Sequence, residues 1–208
     1  MALACVLVSA ACFRGTIPAR QLYRLVPLDT ISAPAAAIAP PLAGSLAVLP
    51  YSSPGVYGQT NIVYRTDSVE YGAYPSREWA VPLGVMLGDL TEHVLRARPL
   101  TREPAVYDPP SRREHSYVWR GRVREFDEVD AGGVVHAVVS LDATLSRALD
   151  DSLLWTGGIR RDRIVPQPTM SAIVRTLSDL SNESVQALVD QAAAAVRAGP
   201  ATVARPPR

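Results

Sequence analysis

Few residues of this 208-residue chain have the types and spacing that chemistry requires. The three histidines are far apart, and none stands in an HExxH sequence or in another spacing that suits zinc. The chain contains no GxSxG, no P-loop and no GxGxxG after a strand. We therefore expect no catalytic residue, no metal site and no cofactor, and we expect each histidine to be solvated or hydrogen-bonded: His93, His115 and His136.

The two cysteines lie within the first twelve residues, and the other 196 positions have none. This distribution excludes a disulfide framework, a thiolate zinc site and a cysteine nucleophile from the body of the chain. A body without cysteine that retains Cys12 beside an apolar leader indicates a point of lipid attachment.

The leader, "MALACVLVSAAC", is an apolar run that ends in small residues, as secretory signals do. Ala10 and Ala11 precede Cys12 as in bacterial lipoprotein signals, in which that cysteine is acylated and becomes residue one. We therefore expect a lipoprotein signal over residues 1–11 and a tether over residues 12–20. The competing interpretation is an N-terminal strand, since the leader is short and carries no basic residue.

The charge balance argues against nucleic acid as a partner. The formal net charge is +1, and all 21 basic residues are arginine. Alternate positions of one expected strand nevertheless form a basic stripe that could face a partner's acidic surface or phosphate head groups: Arg120, Arg122 and Arg124. We expect a second set on a paired strand to lie beside it: Arg160, Arg161 and Arg163. The alternative, which the balanced charge favours, is a solvated face neutralised by nearby carboxylates.

An acidic cluster precedes the glycine pair Gly132–Gly133: Glu125, Asp127, Glu128 and Asp130. The spacing of an EF-hand calcium loop is absent. A glycine pair between two apolar alternating runs is typical of a tight β-turn. We expect an exposed acidic hairpin tip here.

Hydrophobic periodicity predicts two helices and a set of strands. One helix starts at Pro82 and ends near Ala97, and a longer one follows an N-cap at Thr169 and ends at Gly199. Period-two patterns or short apolar runs predict strands within residues 21–27, 45–51, 61–66, 68–74, 105–108, 116–129, 134–148 and 153–165. The last three form an antiparallel meander. No alternating βαβ run is present, so we predict an α+β fold: a largely antiparallel or mixed sheet with both amphipathic helices on one face.

Composition sets the expected boundaries of the domain. Residues 21–198 form one α+β domain, which an Ala/Pro-rich mobile loop interrupts over residues 29–44. Residues 199–208 form a disordered tail.

The order of these segments resembles a known family. A lipobox-like cysteine is followed by "YRL", "LAVLPY", "IVYRTDSVEYGAYPSREWAVPLGVMLGDLTEHVL", "RVREFDEVDAGG", "VVSLDATL" and a closing amphipathic helix. This arrangement is similar to the ABC-type transport auxiliary lipoproteins, the PqiC-like accessory proteins of MCE-type lipid transport systems. The resemblance runs from Tyr23 to about Ala195.

The resemblance implies a periplasmic domain anchored by an N-terminal lipid at Cys12, usually at the outer membrane. It implies ABC transporter and MCE-type subunits as partners, no enzymatic activity, and compatibility with a homo-oligomer. Four residues match the family's hairpin and helix-entry motif, for which we expect a mainly structural role: Tyr64, Arg65, Tyr71 and Trp79.

Two functions stay open on this reasoning. The first is a non-catalytic accessory lipoprotein of an ABC/MCE-type phospholipid transport system, which acts by docking to its partners in the cell envelope. The alternative is a periplasmic module that itself binds a lipid or a small apolar ligand between sheet and helices.

Overall fold

Eight strands and two α-helices form within residues 19–28, 39–66 and 69–199, the parts of the chain that this computed structural model describes. The helices are α1 (Leu83–Ala97) and α2 (Met170–Ala198). The strands are β1 (Gln21–Tyr23), β2 (Leu46–Val48), β3 (Asn61–Arg65), β4 (Tyr71–Trp79), β5 (Ala105–Tyr107), β6 (Tyr117–Ala131), β7 (Val134–Arg147) and β8 (Leu153–Ile164).

The long strand β6 has neighbours on both edges. One edge pairs antiparallel with β7 along its whole length. The other edge is shared by two short parallel strands, β2 at the N-terminal end of β6 and β3 at its C-terminal end. A β-bulge between Val123 and Glu125 lies between these two pairings.

All eight strands belong to one mixed sheet. From β6 it continues through β3 and β4 to β1, through β2 to β5, and through β7 to β8. The meander predicted for β6, β7 and β8 is confirmed. Within the described residues β8 pairs only with β7, so its other edge carries no strand.

Both helices cover the same face of the sheet, which confirms the α+β prediction. Alternate residues of β7 from Ala137 to Leu145 are at most 1% exposed on that face. They pack with Trp119 and Phe126 of β6 against apolar residues of the two helices, such as Leu87, Leu90, Leu177 and Leu188. Burial of this apolar surface is the main force that holds the layers together.

The predicted helix boundaries agree with the structure to within one residue. Pro82 lies directly before the first residue of α1, so it is the cap and not the first helical residue. The Thr169 hydroxyl accepts a hydrogen bond from the Ala172 amide and caps α2. Gly199, at a φ of 75°, ends it.

Residues 20–28, which we call the strap, begin with β1 and continue as an extended segment that crosses both helices. The Leu25 amide contacts the Met86 sulfur of α1 at 3.4 Å. On α2 the buried Asn182 side chain accepts from the Leu28 amide at 3.1 Å and donates to the Val26 carbonyl at 2.9 Å. The strap is therefore held by specific hydrogen bonds on both helices.

Part of the predicted mobile loop is paired. The Leu42 amide donates to the Leu100 carbonyl, and the Leu42 carbonyl accepts from the Arg102 amide. Residues 29–38 of that loop, the leader and the tail after Gly199 lie outside the described residues.

The Asn182→Ala substitution should lower the free energy of unfolding by about 2 kcal/mol or more, because it removes the side chain's hydrogen bonds to the strap and to the Ser178 carbonyl. Urea denaturation monitored by circular dichroism measures this change. The exposed Ser171→Ala variant on the same helix is the matched control, with an expected change within about 0.5 kcal/mol. Equal stability of the two variants would contradict this view of the strap.

Candidate functional site

Each histidine has a local hydrogen-bond partner, as predicted. A ring nitrogen of His93 lies 3.1 Å from the Leu28 carbonyl oxygen, that of His115 lies 3.1 Å from the Ser45 hydroxyl, and that of His136 lies 2.9 Å from an Asp162 carboxylate oxygen. Among the described residues, no group of three or more His, Cys, Asp or Glu side chains could hold a metal ion.

Arg65 and Asp127 form a buried ion pair between β3 and β6. Arg65 Nε lies 2.6 Å from Asp127 Oδ2, and Arg65 Nη2 donates to Glu125 Oε1 at 2.9 Å. The Asp127 side chain is 0% exposed, and that of Arg65 is 11% exposed. Arg65 and Asp127 lie on the sheet face away from the helices, because neighbouring residues of β6 alternate between the faces and Phe126 faces the helices.

Two tyrosines cover this ion pair. The hydroxyl of Tyr57, in a 3₁₀ turn at Gly55–Gly58, donates to Asp127 Oδ2 at 3.1 Å. The ring of Tyr71 lies 5.5 Å from the guanidinium carbon of Arg65 and meets the Tyr57 ring edge-on at 6.4 Å. Asp127 is thus sealed from water.

The electrostatics of the cluster follow from this burial. Burial raises the pKa of Asp127 to about 6, although the Arg65 guanidinium and the Tyr57 hydroxyl act in the opposite direction. Burial and the Asp127 charge also raise the pKa of Tyr57 far above its usual value. A raised carboxyl pKa often marks a catalytic acid or base. A carboxylate with no exposed surface cannot reach a substrate, however, so we assign Asp127 a structural role.

The opposite side of the β3–β4 hairpin carries a second polar contact. The Tyr74 hydroxyl donates to Glu128 Oε2 at 2.8 Å, and the ring of Tyr74 contacts that of Tyr64 at a centroid distance of 4.9 Å. A side chain at Gly72 would meet the Tyr64 ring, so glycine leaves the space that this ring occupies. Tyr64 therefore packs across its own hairpin.

Trp79 lies at the end of β4, four residues before α1 begins. It is 4% exposed, and its ring meets Phe126 of β6 edge-on at 5.7 Å. The four motif residues therefore divide into separate contacts: Arg65 and Tyr71 share the ion-pair cluster, Tyr64 lies on the other side of the hairpin, and Trp79 lies in the core.

The expected exposed acidic tip is wrong: Glu125 and Asp130 are half-buried, and the other two carboxylates are buried. Asp127 is 0% exposed and Glu128 is 8% exposed. The reason is the parallel pairing of β3 with this end of β6, which places the side chains of the hairpin over both carboxylates. Sequence reasoning missed Tyr57 as well, since a lone tyrosine in a turn carries no pattern.

The basic stripe lies on the sheet face away from the helices. Arg120 donates to the Ser146 hydroxyl at 2.7 Å and to Asp151 at 2.8 Å, and Arg124 pairs with Asp142. Arg122 is exposed and forms no ion pair with the described residues.

The second arginine set does not lie together beside this stripe. Arg160 shares its face and pairs with Glu125 at 2.6 Å. Arg161 and Arg163 lie on the helix side, where both contact Glu183 of α2. Successive strand residues alternate between faces, so Arg160 and Arg161 cannot share one.

Two concave regions border these features. A cavity of about 490 Å³ lies beside the ion-pair cluster, and its lining includes Arg65, His136 and Arg160. A groove of about 420 Å³ runs between the strap and α2, and its lining includes Val26 and Val174. Cys12 lies outside the described residues, and within them no helix is long and apolar enough to cross a membrane.

A family model described as "ABC-type transport auxiliary lipoprotein component" matches residues 23–193. The chain belongs to this family. Comparison with curated proteins finds no match. A transport auxiliary lipoprotein is not a class of enzyme, and the name of the family associates its members with ABC-type transporters and with lipid attachment.

Solved structures support the fold. Protein XCC0632 from Xanthomonas campestris is 18% identical, with a TM-score of 0.69, over 84% of this chain and 96% of that one. An uncharacterized protein is 15% identical, with a TM-score of 0.65, over 84% of this chain and 99% of that one. Similarity at these identities shows that the fold is shared, and it shows nothing beyond the fold.

The Asp127 cluster gives the protein a specific pH dependence. The Asp127 carboxyl binds its proton more tightly in the folded state than in the unfolded chain, in which its pKa is 3.8. This group therefore stabilises the fold most below about pH 4, and its contribution falls by roughly 3 kcal/mol as the pH rises past 6. We expect the stability of the wild type to fall relative to that of Asp127→Asn between pH 4 and 7.

Urea denaturation at several pH values measures this difference. Glu114→Gln, in an exposed 3₁₀ turn, is the control for the loss of one carboxyl group. A wild-type profile parallel to that of Asp127→Asn throughout this range would show that Asp127 is not perturbed by burial.

Proposed function

We propose that the protein is a non-catalytic accessory lipoprotein of an ABC/MCE-type phospholipid transport system. Acyl chains on Cys12 hold the domain on the periplasmic side of the envelope, at the outer membrane, and the domain acts by docking to ABC transporter and MCE-type subunits. The match of the auxiliary lipoprotein family to residues 23–193 carries this proposal. Two acyl chains or more give the stable anchoring that one chain does not.

The polar groups of the described domain suit a docking protein better than a catalyst. The carboxyl group with the most clearly displaced pKa, that of Asp127, is shielded by Arg65 and Tyr57. The histidine side chains contact backbone or side-chain oxygens of neighbouring segments. These interactions hold neighbouring elements together. The serine–histidine contact, of Ser45 with His115, has no carboxylate paired with the imidazole among the described residues.

The docking surface that we propose is the edge of β8 with the adjoining arginine face. The Val165 amide bonds to the Val135 carbonyl, so alternation along β8 directs the amides of Thr156, Gly158, Arg160 and Asp162 away from β7. An unpaired strand edge can accept an extended segment of another chain. Arg122, exposed on the same side of the molecule, would meet a partner's carboxylate.

This edge can also receive a further copy of the chain, so a homo-oligomer is part of the proposal. The Trp155 ring occupies the space beside Gly157, and the Asp142 carboxylate occupies that beside Gly158. An added strand would therefore pair through the backbone of this edge. Partner subunits and further copies would then compete for one surface.

A second function has support from the groove beside the strap. Its volume of about 420 Å³ lies in the range of small-molecule sites, and Val26, Leu28 and Val174 give it an apolar lining. The protein would then carry a lipid or small apolar ligand itself. Mass spectrometry of lipid extracted from the purified protein tests this idea, and a stoichiometric lipid lost on Val174→Asp would favour it over docking alone.

The anchor is tested by intact-mass analysis and membrane fractionation of the wild type and Cys12→Ala in a bacterial host. We expect a lipid-sized mass increase and membrane pelleting for the wild type, and neither for Cys12→Ala. A second pair of proteins, wild type and Cys12→Ala with basic residues added before Met1, controls for inefficient export. An unmodified wild-type protein in both pairs would contradict the lipid anchor.

A further inference from the structure

The strap alternates between buried and exposed side chains in an unusual way. From Tyr23 onward its inward residues, Tyr23, Leu25 and Pro27, are buried or half-buried, whereas Gln21 is exposed. The outward residues are all exposed: Arg20, Leu22, Arg24, Val26 and Leu28. An extended segment on a water-facing surface normally directs polar side chains outward. Three of these five are aliphatic instead.

The exposed aliphatic residues form a substantial patch. Leu22 is 61% exposed, Val26 is 59% exposed and Leu28 is 39% exposed. The groove between the strap and α2 adjoins the last two and extends the apolar surface to Val174. Exposed apolar surface of this kind, bordered by charges, marks an interaction site.

Around the patch, arginine side chains are more exposed than most of the acidic side chains. Arg24 of the strap and Arg175 of α2 are exposed and form no ion pair with the described residues. Arg20 pairs with Glu78 at 3.0 Å, but the Arg20 side chain is 71% exposed whereas that of Glu78 is 10% exposed. The acidic neighbours are Asp89, exposed on α1, and Asp179, half-buried in the groove.

We propose that the outward face of the strap, Leu22, Val26 and Leu28 with Arg20, Arg24 and Arg175, lies against a phospholipid membrane surface. Aliphatic side chains enter the boundary between head groups and acyl chains, and arginines at that depth extend their guanidinium groups to the phosphates. The strap amides of Val26 and Leu28 donate hydrogen bonds to α2 side chains and fix the strap, so little conformational entropy is lost on contact.

The position of the strap in the chain favours a membrane over a protein partner. It directly follows the segment that bears Cys12, and the eight Cα–Cα steps from Cys12 to Arg20 span at most about 28 Å. A lipid at Cys12 would therefore hold this face within reach of the bilayer and raise its effective concentration there. The inference rests on the proposed function only for this proximity to the bilayer. Binding of the surface itself to a membrane can be tested on protein that carries no lipid.

The test uses the full chain with Cys5→Ala and Cys12→Ala, which removes both cysteines and the acylation site. A single cysteine at position 26 or 149 then carries an environment-sensitive fluorophore. Leu149 is 96% exposed and lies between β7 and β8, far along the chain from the strap, so it is the matched position. The vesicles contain phosphatidylethanolamine and phosphatidylglycerol.

We expect a blue shift with vesicles for the label at position 26 and none at position 149. Exchange of Leu22, Val26 and Leu28 for serine should lower vesicle partitioning by at least about tenfold, whereas Leu149→Ser with Leu153→Ser should change it less than twofold. Vesicle binding without a shift at position 26 would assign the contact to the apolar leader, and absence of binding would assign the patch to a protein partner. Either result overturns the proposal, and neither bears on lipidation of Cys12.

Discussion

The rest of the structure depends on the strand pairing along both edges of β6. One edge of this strand is paired throughout with β7, and the other is divided between β2 and β3. The helices cover one face of the sheet, so the arginine stripe is left on the other face. Within the described residues the sheet therefore ends at β1, β5 and β8. The edge of β8 is long and has no partner strand there, and β1 continues into the strap.

The contact of β3 with β6 is short, and the Asp127 cluster strengthens it. Only Tyr64 and Arg65 are in register with β6, so few backbone hydrogen bonds join the two strands. The ion pair of Arg65 with Asp127 connects the β3–β4 hairpin to β6, and the Tyr57 hydroxyl donates a hydrogen bond to the same carboxylate. A buried ion pair gains little net stability over apolar packing, but removal of one partner leaves an uncompensated charge. We infer that the cluster fixes the position of the hairpin.

Local sequence patterns predicted the longer elements of secondary structure. Period-two alternation in β7 and the apolar stripes of α1 and α2 predicted these elements and their faces, because each depends on neighbours a few residues away. The parallel pairing of β2, β3 and β5 depends on contacts distant in sequence, and strands of three to five residues carry no signal of their partner. Burial of Asp127 and Glu128 was missed for that reason. The strap was detected only as a first strand, since its outward Leu22 and Val26 read as ordinary strand residues.

Site-specific photo-crosslinking in the native envelope can show whether the domain docks to a transporter. A photoreactive residue replaces Thr156, whose amide lies on the open edge of β8, and in a second strain it replaces the exposed Ser171 of α2. We expect position 156 to crosslink to an ABC or MCE-type subunit, or to a second copy of the chain, and position 171 not to crosslink to these proteins. Crosslinks from position 156 to no protein, with transport intact, would contradict this expectation.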